Sequence, residues 1–335
     1  MRQCSTEFAQ IDPVLLEFDL FKSLPRDGTS SPLVSSRSFG GIDYRLTSSQ
    51  TLDDLALKTL LVLCALAGSS AIAESPAMSQ ANSKLWDRLA LSSGEPITCA
   101  IWQGSIGDIL REAGMQSGGG NKDRISDRLG QLSEVRISFS DKSNKKMWQS
   151  NLISLSQNQK LGEIRVAFSP GLSARILRKQ RVQYSHIWLD PIRTTASPAA
   201  RILHAILSNR IRVGATARYS LEKLAEIVYH PSGNAADLRK RRSAVKTAIK
   251  ELISAGWEFR QETSANREVF EIRNAVHDTS QPTTQANAML LPGAQFLGHR
   301  VPAWRTKVDP RGSRGILQHR ADLSALPSSQ VPRSV

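Results

Sequence analysis

The side chains best placed to do chemistry in this sequence are cations. Leu238-Arg-Lys-Arg-Arg242 puts Arg239, Lys240, Arg241 and Arg242 in one run, followed by Ser243, Lys246, Thr247 and Lys250. Guanidinium forks and ammonium points are the groups that neutralise phosphate and read guanine edges, so this pattern points to nucleic-acid binding rather than to covalent chemistry. A second, sparser set, Lys122, Arg124 and Arg128, follows the glycine run Gly118-Gly119-Gly120. That run has no following Lys-Ser/Thr pair and is read as a turn, not a phosphate loop. His186, His204 and His230 lack metal-ligand spacing, and Cys4, Cys64 and Cys99 are widely separated. No metal site, cofactor or disulfide framework is expected from them. Neither the four tyrosines nor the serine-rich segments show a nucleophile with a base and an orienting group, so no catalytic residue is assigned. Trp188 and Trp257 follow or end apolar segments and are read as core residues.

The long basic stretch must be a helix. At 100° per residue Leu238, Val245, Ile249 and Leu252 fall in one narrow arc that is expected to face the core, leaving Arg239, Lys240, Ser243, Lys246, Thr247 and Lys250 outward. The spacing predicts this helix from about Ala235 to Ala255, stopped by Gly256. Four cations near a helix N-terminus oppose the macrodipole by up to about 1 kcal/mol each, a cost that duplex phosphates would reverse. Upstream, Ser197-Pro198 starts a helix through about Asn209, and Ser220 caps another over Leu221 to Tyr229. Downstream, Trp257 to Glu262 and Glu268 to Ile272 read as a two-stranded wing.

The same order occurs earlier in the chain. The pattern Leu52, Leu55, Leu60, Leu63, Leu66 suits a mostly buried helix ending at Gly68. Ile97 to Ile101 reads as a strand, and Ser105 with Asp108 caps a helix that stops at Gly114. A second helix follows with Ile125, Leu129 and Leu132 inward. Strands are then expected at Val135 to Ser140, Lys146 to Leu155 and Glu163 to Phe168, joined by turns containing Asp141, Asn144, Asn158 and Gly162. The expected fold class is therefore α+β, with two tandem winged helix-turn-helix domains and a disordered C-terminal tail. The boundaries are an N-terminal arm over 1–48, a first domain over 49–174, a second, principal DNA-binding domain over 175–275, and the tail over 276–335.

Charge supports this division. The 335 residues carry 44 Lys plus Arg against 30 Asp plus Glu, a net charge of +14, with a pI near 10.1. Residues 175–260 alone hold 17 basic and 6 acidic side chains, whereas residues 1–50 hold 5 and 6. A polyanion partner is implied, with nucleic acid ahead of an anionic membrane surface. The most apolar run, Leu55 to Ala67, is shorter than the roughly 20 residues that span a bilayer. The N-terminus has no apolar signal core, so a cytoplasmic protein with no membrane association is expected.

The stretch SHIWLDPIRTTASPAARILHAILSNRIRVG, followed by YSLEKLAEIVYHPSGNAADLRKRRSAVKTAIKELISAGWEF, closely resembles the C-terminal half of RepC-type replication initiators of IncQ plasmids. Asp12-Pro13, Leu20-Phe21-Lys22, LDDLALKTLLVLCALAG and GSIGDILREAG resemble the matching upstream segments, so the likeness covers residues 12–275. The resemblance implies a non-enzymatic initiator in which tandem winged-helix domains grip iteron repeats of double-stranded DNA at a plasmid origin. It also implies local opening of AT-rich DNA, recruitment of the plasmid helicase and primase, a homodimeric form and repression of its own promoter. Two alternatives stand beside it. A winged-helix transcriptional repressor keeps the fold, and iteron-like repeats near the gene discriminate. A primase or relaxase would need clustered carboxylates, or a His-rich metal site with a nucleophilic Tyr.

Overall fold

The structure is a computed structural model that describes residues 6–24, 31–39, 41–75, 82–93, 97–141, 146–158, 162–177, 184–264 and 267–275. The expected tail from Val276 and the Asn144 turn lie outside the described residues. The chain opens with β1 (Phe8–Ile11), a 3-10 turn at Pro13–Leu16, and the hairpin β2 (Leu33–Phe39) and β3 (Ile42–Ser48). Then come α1 (Asp54–Ser70), β4 (Ile72–Glu74), α2 (Ser83–Leu89), β5 (Ser92–Ser93), β6 (Cys99–Gly104), α3 (Ile106–Glu112) and α4 (Gly119–Glu134). They lead to β7 (Arg136–Asp141), β8 (Lys146–Asn151), β9 (Ile153–Asn158), β10 (Glu163–Phe168) and α5 (Pro170–Ile176). The remainder is β11 (Ser185–Trp188), α6 (Leu189–Thr194), α7 (Pro198–Arg210), β12 (Thr216–Ser220), α8 (Leu221–Val228), α9 (Ala235–Ser254), β13 (Trp257–Ser264) and β14 (Arg267–Asn274).

Local signals set most helix ends. Asp53, Ser105, Ser197 and Ser220 each accept a backbone N–H at the helix they precede, and Ser105 with Asp108 closes a full capping box. Gly114, at +67°, and Gly256, at +95°, adopt the left-handed φ that ends a helix without strain. Every residue of α1 from Leu55 to Ala67 is buried, so this helix shows no solvent stripe and serves as the axle of the fold. It packs on α3, α4, α5 and β1 and also on α7, and α7 in turn carries α8 and α9.

The fold is mixed α/β, and two parts of it share one order. Helix α1, strand β6, helices α3 and α4 and strands β9 and β10 run in the same sequence as α7, β12, α8, α9, β13 and β14. The strand orders agree as well, β6-β10-β9 and β12-β14-β13, both antiparallel with the last strand in the middle. The first part adds β4 at its edge and a separate five-stranded sheet, β2-β3-β7-β8-β5. One apolar core runs through both parts, and all described residues belong to one compact unit spanning residues 1–283.

Three expectations are corrected. The single strand expected over Lys146 to Leu155 divides at Leu152, which is fully buried; β8 stays in the five-stranded sheet and β9 enters the sheet of β6 and β10. Leu152 N–H donates to Val135 O, which holds the crossing between the two sheets. The stretch 1–48, expected as an arm, contains three strands: β2 and β3 pair with β7, and β1 pairs with β11 from beyond residue 175. The buried residues of β1, Ala9, Gln10 and Ile11, pair with a strand found only far along the chain. Finally, Leu238, expected in the core with Val245, Ile249 and Leu252, is 38% exposed, because the first two turns of α9 project past the helices that bury the rest.

Candidate nucleic-acid interface

Helix α9 is anchored by its second half. Val245, Ala248, Ile249 and Leu252 are buried against α7, α8 and β13, whereas Arg239, Lys240, Arg242, Ser243, Lys246, Thr247 and Lys250 are exposed. Asn234 caps the helix by accepting from Ala236 N at 2.9 Å. The cations are not equivalent. Arg241 is half-buried; its guanidinium donates to His230 O and lies 5.4 Å from the centre of the Tyr229 ring. It therefore ties the turn between α8 and α9 and is held away from solvent. Arg242 faces Glu222 at 3.2 Å and Lys246 faces Glu268 at 2.8 Å, in exposed pairs that contribute no more than about 1 kcal/mol and that a phosphate can displace. Arg239, Lys240 and Lys250 extend into solvent.

On α4 the set also divides. Lys122 and Arg124 are exposed on the first turns. Arg128 turns inward and forks onto Asp53, with Nε 2.9 Å from both carboxylate oxygens and one terminal nitrogen at 2.7 Å. Asp53 is also the N-cap of α1, so Arg128 locks α4 to the axle helix. The neighbouring Asp54 takes Arg201 of α7 at 2.7 Å, so adjacent carboxylates tie both parts to one helix end. The N-terminus of α4 has no side-chain cap and no acidic residue in its first turn, and a Cβ placed at Gly118, Gly119 or Gly120 would meet only open space. An anion is electrostatically welcome there.

Sequence reasoning missed what supports α9 from below. Lys22 is 3% exposed, and its ammonium donates to Glu226 O at 2.8 Å and Ile227 O at 3.0 Å while pairing with Asp19 at 2.8 Å. Ser23 N–H adds a bond to Val228 O at 2.8 Å. These donors occupy the carbonyls that the C-terminus of α8 leaves open and so fix the entry into α9. Burial, followed by the nearby Lys22, lowers the His230 pKa below its usual 6.5. The only signal in the sequence was the segment Leu20-Phe21-Lys22, whose target lies about two hundred residues away.

His204 is buried and satisfied: Nδ1 accepts from Trp257 Nε1 at 3.0 Å, and Nε2 lies 2.9 Å from Trp188 O. A histidine with both nitrogens engaged is a core residue. Among the described residues no group of three or more His, Cys, Asp or Glu is placed to hold a metal ion, and no helix is long and apolar enough to cross a membrane.

Fold and surface together define an α/β protein of two like-ordered parts, each presenting a helix with exposed cations. Residues 15–274 match the model of the replication protein C (RepC) family, and the chain belongs to that family. The membership supports a role in replication initiation. Among solved structures the chain is similar to RctB domains 2-3 (RctB-155-483), with 12% identity, a TM-score of 0.46, and coverage of 78% of this chain and 96% of that one. A selenomethionine form of domains 2 and 3 of RctB matches with 11% identity and a TM-score of 0.45, over 76% and 95% of the two chains. A search of curated proteins finds no match.

Proposed function

We propose that this chain initiates plasmid replication by binding iteron repeats in origin duplex DNA, without catalysing a reaction itself. Its two parts act as winged helix-turn-helix units, the first over 49–174 and the second over 175–275. The observation that carries the reading is the projecting start of α9. Apart from Arg241, its cations follow the first turn and its Asp237, stand clear of the core and serve no packing role, so a polyanion best accounts for their position. Arg239, Lys240 and Ser243 lie where a recognition helix meets base edges, while Lys246, Thr247 and Lys250 lie further along, toward phosphate. The glycine-rich start of α4, with Lys122 and Arg124, gives the first unit a contact on a second stretch of the same duplex. Local opening of AT-rich DNA, capture of the helicase and primase, and homodimer formation are part of the same proposal and rest on the resemblance to RepC-type initiators, not on any surface described above.

A salt titration of binding to iteron duplex tests this. Neutralising about 5 to 8 phosphates gives a slope of log K against log salt of roughly −4.5 to −7. A slope near zero sinks the reading.

A further inference from the structure

The two parts of the molecule meet through largely buried charge as well as through their common core. Arg193, near the end of α6, turns its guanidinium onto the end of α3. Its Nε donates to Glu112 O at 2.8 Å, one terminal nitrogen meets the Glu112 carboxylate, and the same nitrogen donates to Thr6 O at 2.8 Å. The Glu112 side chain is 2% exposed and that of Arg193 9%. The backbones come close here: a Cβ placed on Gly114, just past α3, would lie 3.5 Å from Arg193 Cβ. A second joint lies between Asp54 of α1 and Arg201 of α7. There Nε and a terminal nitrogen share one carboxylate oxygen at 2.8 and 2.7 Å, and both side chains are largely buried.

Two joints do what one cannot. A single contact between two bodies leaves a pivot, whereas two contacts on different helices, with a packed core between the bodies, leave neither rotation nor slide. The joints also lie on different routes between the cation-bearing helices. One route runs from α4 through α3, Glu112, Arg193 and α6 to α7. The other runs from α4 through α1, Asp54 and Arg201 to α7, and α7 carries α9. Interfaces between parts of one chain are commonly polar and permit relative motion. Here guanidinium–carboxylate pairs hold the parts, and such pairs are directional as well as strong.

We propose that these joints make the chain a ruler: Glu112–Arg193 and Asp54–Arg201 fix the separation and the phase of α4 and α9, so that the protein accepts a duplex site of one length. The proposal rests on the reading in which α4 and α9 contact one duplex, and it adds a cause of site-length specificity. Flexibly tethered modules reinforce each other over a range of spacings, while rigidly joined ones do so only where the geometry lets both engage. Arg193 and Arg201 are positioning residues that act through α4 and α9.

The test is competition binding of the full chain to iteron duplex and to the same duplex lengthened by 2 or 10 base pairs, with the insertion moved stepwise across the repeat. Two base pairs turn one contact stretch by about 70° and shift it by about 7 Å, whereas ten restore the face but add about 34 Å. At insertion points between the two contact stretches, wild-type protein should lose about 100-fold in affinity with either length, and its salt slope should fall by about two as Lys122 and Arg124 disengage. Arg193→Lys combined with Arg201→Lys keeps both charges and loses both forks. That protein should bind the uninterrupted repeat about tenfold more weakly than wild type and lose less than about threefold on the 2-base-pair insertion. Wild-type protein that binds the repeat and tolerates the short insertion at every point overturns the proposal and leaves the initiator reading standing. Wild-type protein with no preference for iteron duplex overturns both. A double variant with a wild-type melting temperature and undiminished discrimination also overturns the ruler. If the double variant melts early, Asp54→Asn, which breaks one joint only, takes its place, and the ruler stands only if discrimination against the short insertion then falls about fivefold or more.

Discussion

The two like-ordered parts of the molecule use their third helices in opposite ways. In the second, α9 is held by its C-terminal half and extends its basic start into solvent, with Leu238 exposed beside Arg239 and Lys240. In the first, α4 has the same position in the order, but its Arg128 is drawn back onto Asp53 and its sheet is enlarged by β4. The five-stranded sheet on the β7–β8 hairpin exists only on that side. The same architecture therefore supports a helix with a projecting basic start in one place and a helix clamped along its middle in the other. On α4 the clamp is Asp53, at the end of the central helix.

The comparison can be broken most forcefully through the anchored half of α9. Val245→Asp buries an unpaired charge at a position with no exposure and should cost about 3–5 kcal/mol of stability, visible in a thermal melt whatever the DNA. A normal melt would mean that α9 is not held as described. Next, Arg239→Ala or Lys240→Ala should cost about 1–3 kcal/mol on cognate repeat and much less on scrambled duplex in competition binding at fixed salt. If both duplexes suffer alike, α9 holds only backbone and specificity lies elsewhere, with Lys122 and Arg124 the first place to look.

The opposite behaviour is expected of Arg128. Arg128→Ala removes a largely buried fork and should lower stability by about 1–2 kcal/mol, while the folded protein keeps its duplex affinity. A loss of affinity as large as that of Arg239→Ala would erase the distinction between clamped and free helices. Lys250→Ala is a smaller perturbation: weaker binding to all DNA and a salt slope reduced by about one.

The smallest effect concerns the turn that both Lys22 and Arg241 support. His230 has a lowered pKa in the fold, so the unfolded chain binds the extra proton first as pH falls through 6.5. Stability from this residue is fully present above that pH and declines below it. His230→Gln should flatten the pH dependence of the melting temperature between about pH 7 and 5.5; an unchanged profile would show that His230 does not report on the turn.

Much of the second part was legible in the sequence because its signals are local. Ser197-Pro198, Ser220 and Gly256 act within one turn of chain, and Val245, Ile249 and Leu252 mark a period that only a helix satisfies. Leu238 misled because periodicity gives a direction and not the distance to which neighbouring helices extend. The 1–48 segment was opaque for a different reason. Leu33–Phe39 is rich in serine and largely exposed, so its alternation carries little contrast, and Phe8–Ile11 finds its partner strand, Ser185–Trp188, only far along the chain. Arg128 and Arg241 were read as surface cations because their acceptors, Asp53 and the His230 carbonyl, become neighbours only after folding.

The pairing of β1 with β11 also has a consequence for biosynthesis. Ala9 is registered with Ile187, 178 positions later, and Lys22 reaches carbonyls later still. At about 5–20 residues per second the ribosome needs roughly 10 to 35 s to supply the second strand after the first has been made. During that interval the earliest segment must wait with its ladder unpaired, exposed to proteases, to chaperones and to other nascent chains, and completion of the first part depends on delivery of the second. A fragment beginning at residue 175 would inherit the converse defect: β11 without its neighbour and the end of α8 without Lys22.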